Sequence, residues 1–290
     1  MKIALFGNKY KKAYIDQVDD ILEILQRKQA EIVAEKDFFG FLKQSGHNVN
    51  CISDTFASTD NFRADFAFSI GGDGTFLTTA NTIGDKHIPI LGINTGHLGF
   101  MTDVLKSEIG EAIDDIFNGD FVVEDRTLIK LTTDNPDLRK PLYALNEIAV
   151  LKQDSASMIG IKASVNGEYL NNYQADGLII ATPTGSTAYS MSVGGPIVVP
   201  QAHNLILSPV SPHSLSVRPL VIPDDWTIDL EVKSRSKNFL VSCDGRSTVF
   251  DNMYKLKIQK GEFTIKIIKR KNHTFFTALR EKLLWGIDNR

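Results

Sequence analysis

The sequence predicts two domains of different class: an amino-terminal α/β domain with a parallel sheet, then a β-rich, sandwich-like domain, with a carboxyl-terminal helix returning to the first. In the first part, short apolar runs alternate with stretches of helical spacing, which indicates a parallel sheet covered by helices. From Arg126 onward the runs are short and alternating, which is typical of antiparallel strands. No Pro/Gly linker marks the change, which falls between about residues 100 and 125. We therefore predict an α/β domain over 1–115, a β-rich domain over 116–270 and a returning segment over 271–290.

The first domain begins with an apolar strand at residues 3–6. Apolar residues recur at helical spacing from Val18 to Ile32 and Val33 and predict one helix. A second helix is predicted to begin near Phe38 and to end at Gly46. We expect Ser107 to cap a later helix. Further strands are predicted at residues 49–53, 66–70 and 88–94.

The second domain is predicted from its strands. Asn166-Gly167 is a two-residue hairpin turn signal between two of them. A last helix is predicted over 275–285. The predicted strands of this domain cover residues 128–131, 142–151, 159–165, 177–181, 226–232, 239–243 and 255–258.

Composition limits the classes of function. The chain has 290 residues and a formal net charge of −3, which argues against nucleic-acid binding driven by basicity. Cys51 and Cys243 lie far apart with no metal-ligand spacing, which fits a reducing compartment. No apolar stretch approaches the roughly 18 residues of a membrane span, and the start is not that of a signal peptide. We predict a cytoplasmic protein with no membrane or nucleic-acid partner.

A glycine-rich turn, IGGDGT at residues 70–75, follows an apolar strand and precedes a helical stretch. Its three glycines permit positive φ and expose backbone N–H groups, as in loops that bind phosphate. Asp73 is unexpected there, because a carboxylate repels phosphate unless it binds a metal or accepts a proton. The alternative is an ordinary βα turn in which Asp73 caps the helix.

Two polar features lie in the β-rich part. The stretch TPTGSTAYS at 182–190 offers hydroxyls for ribose and phosphate, and Tyr189 offers a ring for a purine; the alternative is a Ser/Thr-rich loop before a helix. Asn146 and Glu147 interrupt an apolar strand, where they would either hydrogen-bond a diol such as ribose or face solvent at an exposed edge. No Walker A loop, kinase catalytic loop, serine elbow or zinc motif occurs, and His97 is interpreted as structural.

These motifs, in this order and spacing, resemble the NAD kinases. The resemblance rests on GGDGT (71–75), GINTGHLGF (92–100), Asn146-Glu147 and the stretch 176–192, and it covers nearly the whole chain. It implies ATP-dependent phosphorylation of the 2′-hydroxyl of the adenosine ribose of NAD, giving NADP. It also implies an α/β domain joined to a larger β-rich domain, and a homodimer or homotetramer.

The resemblance also implies roles for particular residues. Asp73 matches the proton acceptor, Asp73-Gly74 contact the dinucleotide, Asn146 and Glu147 bind ribose, and Asp176 lies near the nicotinamide half. Two positions depart from what many family members carry: Gln174 stands where arginine is frequent, and Arg246 where glutamine or another polar residue is usual. These departures leave open the local phosphate contacts and the preference between NAD and NADH. Ser157 matches a ligand contact of some members. The segment that wraps the adenosine is Thr187, Ala188, Tyr189, Ser190, Met191 and Ser192.

The mechanism that follows needs few specialised groups. Phosphoryl transfer requires mainly alignment and charge neutralisation, so Asp73 need only accept a proton late. We expect Mg²⁺ held mostly by phosphates and water, with no dedicated protein ligands. Polyphosphate instead of ATP as donor, and control by NADP, stay open. Two rivals are a lipid kinase with the same glycine turn, which would not explain Asn146-Glu147, and a dinucleotide sensor without turnover, which would not need Asp73.

Overall fold

The computed structural model describes residues 1–8, 15–96, 99–102, 104–153, 157–271 and 273–285. The chain forms two compact units, one of Met1–Asp125 with Ile265–Arg290 and one of Arg126–Thr264. Among the described residues, no helix has the length and apolar character needed to cross a bilayer. In chain order the elements are β1 (Lys2–Gly7), α1 (Ile15–Arg27), β2 (Glu31–Glu35), α2 (Lys36–Gln44), β3 (Ile52–Phe56), β4 (Phe66–Gly71), α3 (Asp73–Ile83), β5 (Ile90–Asn94), α4 (Ile109–Asn118), β6 (Phe121–Thr133), β7 (Leu142–Ala144), β8 (Glu147–Lys152), β9 (Ile159–Val165), β10 (Glu168–Ala175), β11 (Gly177–Ala181), α5 (Tyr189–Ser192), β12 (Asn204–Val210), β13 (Leu220–Pro223), β14 (Ile228–Lys233), β15 (Asn238–Cys243), β16 (Arg246–Asp251), β17 (Lys255–Arg270) and α6 (Phe275–Leu283).

The first unit contains a parallel sheet in the order β5-β4-β1-β2-β3, to which the end of β17 adds in parallel through Ile267 opposite Ile90. Helices cover both faces of this sheet. Phe68 and Ile70 of β4 share a core with residues of α1, α2 and α4, whereas Ser69, on the opposite face, accepts a hydrogen bond from Thr79 of α3 at 3.0 Å. The predicted α/β class is confirmed.

Two local predictions in this unit are wrong. Ile32 and Val33 lie in strand β2, not in the first helix, which ends at Arg27 and is followed by Gln29 at φ 55°. Leu25 and Ile32 are seven residues apart, so helical spacing continues across the break by coincidence. Ser107 does not cap a helix; it lies within a 3-10 turn that Glu108 closes, its Oε2 accepting from the Leu105 N–H at 3.0 Å.

The second unit is a sandwich of two antiparallel sheets. One has the order β10-β9-β14-β17, with β6 beside β17 and β7 beside β6, and the other is β13-β12-β11-β8-β15-β16. One core joins them, formed by inward-facing residues such as Ile161, Ile180 and Leu230, all fully buried. The outer face of β11 is also covered, because Ile179 and Ala181 pack against Val193 and Val198. A strand buried on both faces explains the uninterrupted apolar run at 177–181.

Turns and breaks in the second unit follow the sequence closely. Asn166 and Gly167 have φ 50° and 81°, as the predicted two-residue hairpin requires. The predicted single run over 142–151 is two strands, β7 and β8, separated at Leu145 and Asn146. The predicted carboxyl-terminal helix is present as α6 and belongs to the first unit, where Phe275 packs near the ring of Phe100.

Candidate active site

The glycine-rich turn places Asp73 at the first position of helix α3. The residue before it, Gly72, is the N-cap and provides no side-chain hydrogen bond. The expectation of positive φ is wrong for Gly72, at −98°, and for Gly74, which is helical, but it is correct for Gly71, at 158°. Gly71 is required for another reason: a Cβ there would come within 2.3 Å of Thr75 Oγ1, whereas a Cβ at Gly72 or Gly74 would meet only open space.

The Asp73 carboxylate does not cap its own helix. Instead it accepts hydrogen bonds from the segment that follows β5. Its Oδ1 accepts from the N–H groups of Met101 and Thr102 at 3.2 Å each and from Thr102 Oγ1 at 3.0 Å. Its Oδ2 accepts from the Phe100 N–H at 3.0 Å and from Lys282 Nζ at 3.2 Å. Asp73 is therefore held in a fixed position at the turn.

This position depends on the glycines of the GINTGHLGF motif. A Cβ at Gly99 would lie 2.0 Å from Asp73 Oδ1 and 2.3 Å from Thr102 Oγ1. A Cβ at Gly92 would lie 2.4 Å from the carbonyl oxygen of Met101. Both glycines let backbone and carboxylate approach more closely than any side chain would allow.

The electrostatic surroundings keep Asp73 ionised. Burial on its own would raise the pKa of Asp73, but Lys282 and the donors from Phe100, Thr102 and Met101 outweigh it and hold the pKa below its usual value. A carboxylate with so many donors is a weak base until some of them leave.

A cleft of about 260 Å³ opens beside Gly74, lined among others by Asn8, Glu35, Ser58 and Thr78. Its walls combine the Asn8 amide after β1, carboxyl groups at the junction of β2 and α2, the Ser58 hydroxyl after β3 and threonines of α3. His97, and the lysines at 9, 11 and 12 next to this region of the sequence, lie outside the described residues.

In the second unit, Asn146 and Glu147 are not at an exposed edge; only 7% and 9% of their surfaces are accessible. The apolar run is interrupted between β7 and β8 because the backbone N–H groups there donate to the Asp244 carboxylate instead of to a neighbouring strand. Its Oδ2 accepts from the Leu145 N–H at 2.7 Å, and its Oδ1 accepts from the N–H groups of Asn146 and Glu147 at 2.8 and 3.1 Å. Asp244 itself has φ 49°, at a tight turn between β15 and β16.

The TPTGSTAYS segment packs directly on this break. Thr182 Oγ1 donates to the Leu145 carbonyl at 2.5 Å and accepts from the Gly185 N–H at 3.1 Å. A Cβ at Gly185 would lie 2.0 Å from the Asn146 carbonyl oxygen. The Tyr189 N–H hydrogen-bonds the Glu147 carboxyl group. The fold thus brings Asn146, Glu147 and Tyr189 together.

Two buried oxygen atoms in this cluster, Asn146 Oδ1 and Glu147 Oε2, have no hydrogen-bond donor among the residues that the structure describes. Burial first, and then the charge of Asp244, raise the pKa of Glu147 to about 7, and the Tyr189 N–H opposes them only in part. Buried acceptors without donors cost stability, and a ligand hydroxyl that donated to them would recover it.

The segment's hydroxyls are less available than its composition indicates. Ser190 Oγ lies 3.0 Å from Ser208 Oγ, and Ser186 Oγ bonds the backbone of Val198 at 3.0 and 3.1 Å. Tyr189, by contrast, is 37% exposed. The remaining predicted residues of the segment, Thr187, Ala188 and Met191, are half-buried, and Ser192 is exposed.

The other predicted residues have different surroundings. Ser157 and Gln174 line a second cleft that also includes Lys233 and Arg235. Asp176 Oδ1 is paired with Lys152 Nζ at 2.7 Å. Arg246 donates from Nη2 to the Tyr143 carbonyl at 2.9 Å.

Sequence reasoning missed two residues of these clusters. Asp244-Gly245 is a recognisable turn signal, but nothing local shows that its carboxylate is buried. Lys282 carries no signal at all, because its partner Asp73 is 209 residues away. Among the described residues there is no group of three or more His, Cys, Asp or Glu side chains placed to hold a metal ion.

The carboxylate at a glycine-rich helix start and the buried polar acceptors beside an exposed tyrosine are groups that suit phosphate and ribose, as in an enzyme that phosphorylates a nucleotide. Comparisons with known proteins agree. Models of the ATP-NAD kinase N-terminal and C-terminal domains match residues 3–121 and 145–270. The chain belongs to the ATP-NAD kinase family.

Relatives match over the full length. The NAD kinase of Bacteroides fragilis is 50% identical over 290 residues, and that of Cytophaga hutchinsonii 41% over 291, each covering all of both chains. Yeast NADH kinase complexed with NADH shares the fold, with a TM-score of 0.91 at 22% identity over 100% of this chain and 89% of that one. An Archaeoglobus fulgidus NAD kinase in complex with ATP has a TM-score of 0.74 at 28% identity, over 98% of this chain and 99% of that one. This membership removes the lipid-kinase alternative and supports an enzyme rather than a sensor.

Proposed function

We propose that this enzyme transfers the γ-phosphoryl group of ATP to the 2′-hydroxyl of the adenosine ribose of NAD, giving NADP. The observation that carries the proposal is the pair of buried acceptors without donors, Asn146 Oδ1 and Glu147 Oε2, beside the exposed ring of Tyr189. Ribose hydroxyls are donors that suit such acceptors, and an adenine ring suits the tyrosine face.

Each group of residues has a proposed role. Asp73 accepts the proton of the attacking hydroxyl, and Gly74 and the helix start beside it face phosphate oxygens. Thr187 to Ser192 wrap the adenosine. Asp176, Ser157, Gln174 and Arg246 are proposed contacts to the rest of the dinucleotide, and these roles rest on the family resemblance.

A divalent cation, proposed to be Mg²⁺, would be held by phosphate oxygens and water, because the described residues offer no cluster of ligands and the Asp73 oxygens already accept five hydrogen bonds. It would offset the charge of the phosphates. We also propose a homodimer or homotetramer in the cytoplasm, with no nucleic-acid or membrane partner, on the resemblance and composition.

The test is NADP formation by the purified protein with NAD or NADH as acceptor, ATP or polyphosphate as donor, and Mg²⁺. A matched pair of variants addresses the site: Asn146→Ala removes one of the two acceptors, and Asn50→Ala removes an exposed asparagine of the first unit that lines neither cleft. We expect Asn146→Ala to weaken NAD use by several kcal/mol, about 2–4, while Asn50→Ala changes it little. Unchanged NAD kinetics in Asn146→Ala, or no NADP from the unmodified protein with any donor, would contradict the proposal.

A further inference from the structure

The glycine-rich turn poses an electrostatic problem that its own residues do not solve. A nucleotide brings several negative charges to a turn where Asp73 is ionised, and like charges at contact distance repel strongly. The turn itself, residues 70–75, contains no Lys or Arg, and neither does the described segment 99–102 that surrounds the carboxylate. Beyond the proposed divalent cation, any compensating charge from the chain must come from outside these two segments.

The carboxyl-terminal helix α6 supplies one. Lys282 Nζ lies 3.2 Å from Asp73 Oδ2 and 4.4 Å from the centre of the Phe100 ring, the residue whose N–H also bonds Asp73. A second ammonium group faces the same segment, since Lys269 Nζ donates to the Phe100 carbonyl at 3.4 Å. Of the two, Lys282 is the one in direct contact with the carboxylate.

Helix α6 is anchored so that Lys282 is aimed at the turn. Thr274 caps the helix, its Oγ1 accepting from the Thr277 N–H at 3.2 Å, and Leu279 is 8% exposed. Phe275 packs near Phe100 with ring centres 6.2 Å apart. These contacts hold the helix backbone. The side chain of Lys282 is 31% exposed, which leaves room for its ammonium group to change position.

We infer that Lys282 is a phosphate-binding residue of the proposed kinase. This lysine offsets the charge of Asp73 as the nucleotide approaches and then donates a hydrogen bond to a phosphate oxygen of that nucleotide. A lysine ammonium on a flexible stem can move the few ångströms from carboxylate to phosphate without unwinding its helix. The residue lies beyond 270, where the family models end, and the inference rests on the proposed function.

This exchange would also change the base. Lys282 is one of the groups that hold the pKa of Asp73 below its usual value, so its transfer to phosphate would raise the proton affinity of the carboxylate. Asp73 would then become a stronger base when the phosphoryl donor is in place, and remain a weak one otherwise.

The test uses three full-length variants. Lys282→Met removes the charge but keeps the stem, Lys282→Arg keeps the charge, and Arg280→Met is the matched control, because Arg280 is an exposed cation on the same helix. For each we would measure ATP binding by calorimetry, the KM for ATP and the kcat in NADP formation, and the carboxyl ¹³C shift of Asp73 against pH without nucleotide.

We expect Lys282→Met to weaken ATP binding and raise its KM about 10- to 100-fold, the range for a hydrogen bond to a charged group, with most of the loss recovered in Lys282→Arg. Arg280→Met should stay within about twofold, because its charge is exposed and screened. The titration of Asp73 should move to higher pH in Lys282→Met only.

Two results would overturn the inference. Unchanged ATP affinity in Lys282→Met would show that the lysine does not bind phosphate, and faster turnover than the unmodified protein would show that it restrains the carboxylate instead. If the unmodified protein binds ATP but makes no NADP, the proposed function fails while calorimetry and the Asp73 titration still decide the role of Lys282.

Discussion

Replacing Glu147 by glutamine should make the protein more stable above neutral pH and weaken its use of NAD. Glu147 is 9% exposed, its Oε2 has no donor, and burial together with Asp244 raises its pKa to about 7 from an ordinary 4.5. Because the folded state favours the protonated form, ionising this group costs stability. Glutamine has nearly the same shape and carries no charge.

The size of the effect follows from the difference between the two pKa values. From 4.5 to about 7, the cost of ionisation in the folded state amounts to about 3 kcal/mol. Because the carboxyl pKa is raised in the folded state, the contribution of protonated Glu147 to the free energy of unfolding is fully present below about pH 4.5. It falls as the pH rises and is lost above about pH 7. Glu147→Gln should match the unmodified protein near pH 4.5 and exceed it by up to about 3 kcal/mol at pH 8.

The assay is urea unfolding of both proteins between about pH 4.5 and 8 without nucleotide, with the difference between them plotted against pH. Glu168→Gln is the control, because Glu168 is an exposed glutamate at the start of β10 and its replacement should leave that difference flat. A Glu147→Gln protein that is equally or less stable at about pH 8 would refute the reasoning that Glu147 is a buried acceptor destabilised by its own charge.

Other predictions address neighbouring residues. Asp73→Asn should lower kcat about 10²- to 10⁴-fold while NAD affinity, measured by calorimetry, survives; near-normal turnover would exclude Asp73 as the base. Tyr189→Phe should keep most activity, whereas Tyr189→Ala should lose about 1–3 kcal/mol of NAD affinity, and equal losses would implicate the hydroxyl. Asp244→Asn should cost about 1–3 kcal/mol in urea unfolding and also weaken NAD binding, because three backbone N–H groups lose a carboxylate; unaltered NAD affinity would show that they do not position the site. Gly99→Ala should reduce turnover at least about tenfold, because its Cβ would lie 2.0 Å from the Asp73 carboxylate, and normal kinetics would show that the segment adjusts freely.

Much of the fold was predictable because its signals are local. The run at 177–181 is β11 residue for residue, and Asn166-Gly167 turns as its composition requires. The first helix was extended wrongly through Ile32 because seven-residue spacing suits a helix, and only the turn at Gln29 separates the two elements. Local periodicity does not distinguish one long helix from a helix that is followed, after a turn, by a strand.

The sequence identified the main residues of the candidate site but not their hydrogen-bond partners. The sequence singled out Asp73, Asn146, Glu147 and Tyr189, whose roles stay a prediction. Their partners come from distant parts of the chain: the backbone donors to Asp73 lie 27 to 29 residues onward, its lysine donor 209 residues onward, and the acceptor of the Asn146 and Glu147 N–H groups 98 and 97 residues onward. No local pattern carries such pairings, since they arise only from tertiary packing.

The first unit is assembled from two separated pieces of the chain, and this has a consequence for biosynthesis. A ribosome releases Met1–Asp125 long before Ile265–Arg290, so the outer edge of β5 at Ile90 waits for β17, while Ile93 further along the strand already pairs with Val104. The late piece also carries Arg270, whose side chain is 9% exposed and bonds Asp115 and Glu108 of the early piece at 3.0 and 3.2 Å. A nascent chain that stops before this arginine therefore leaves part of the β5 edge open and removes a cationic partner from both carboxylates, which favours aggregation of that intermediate.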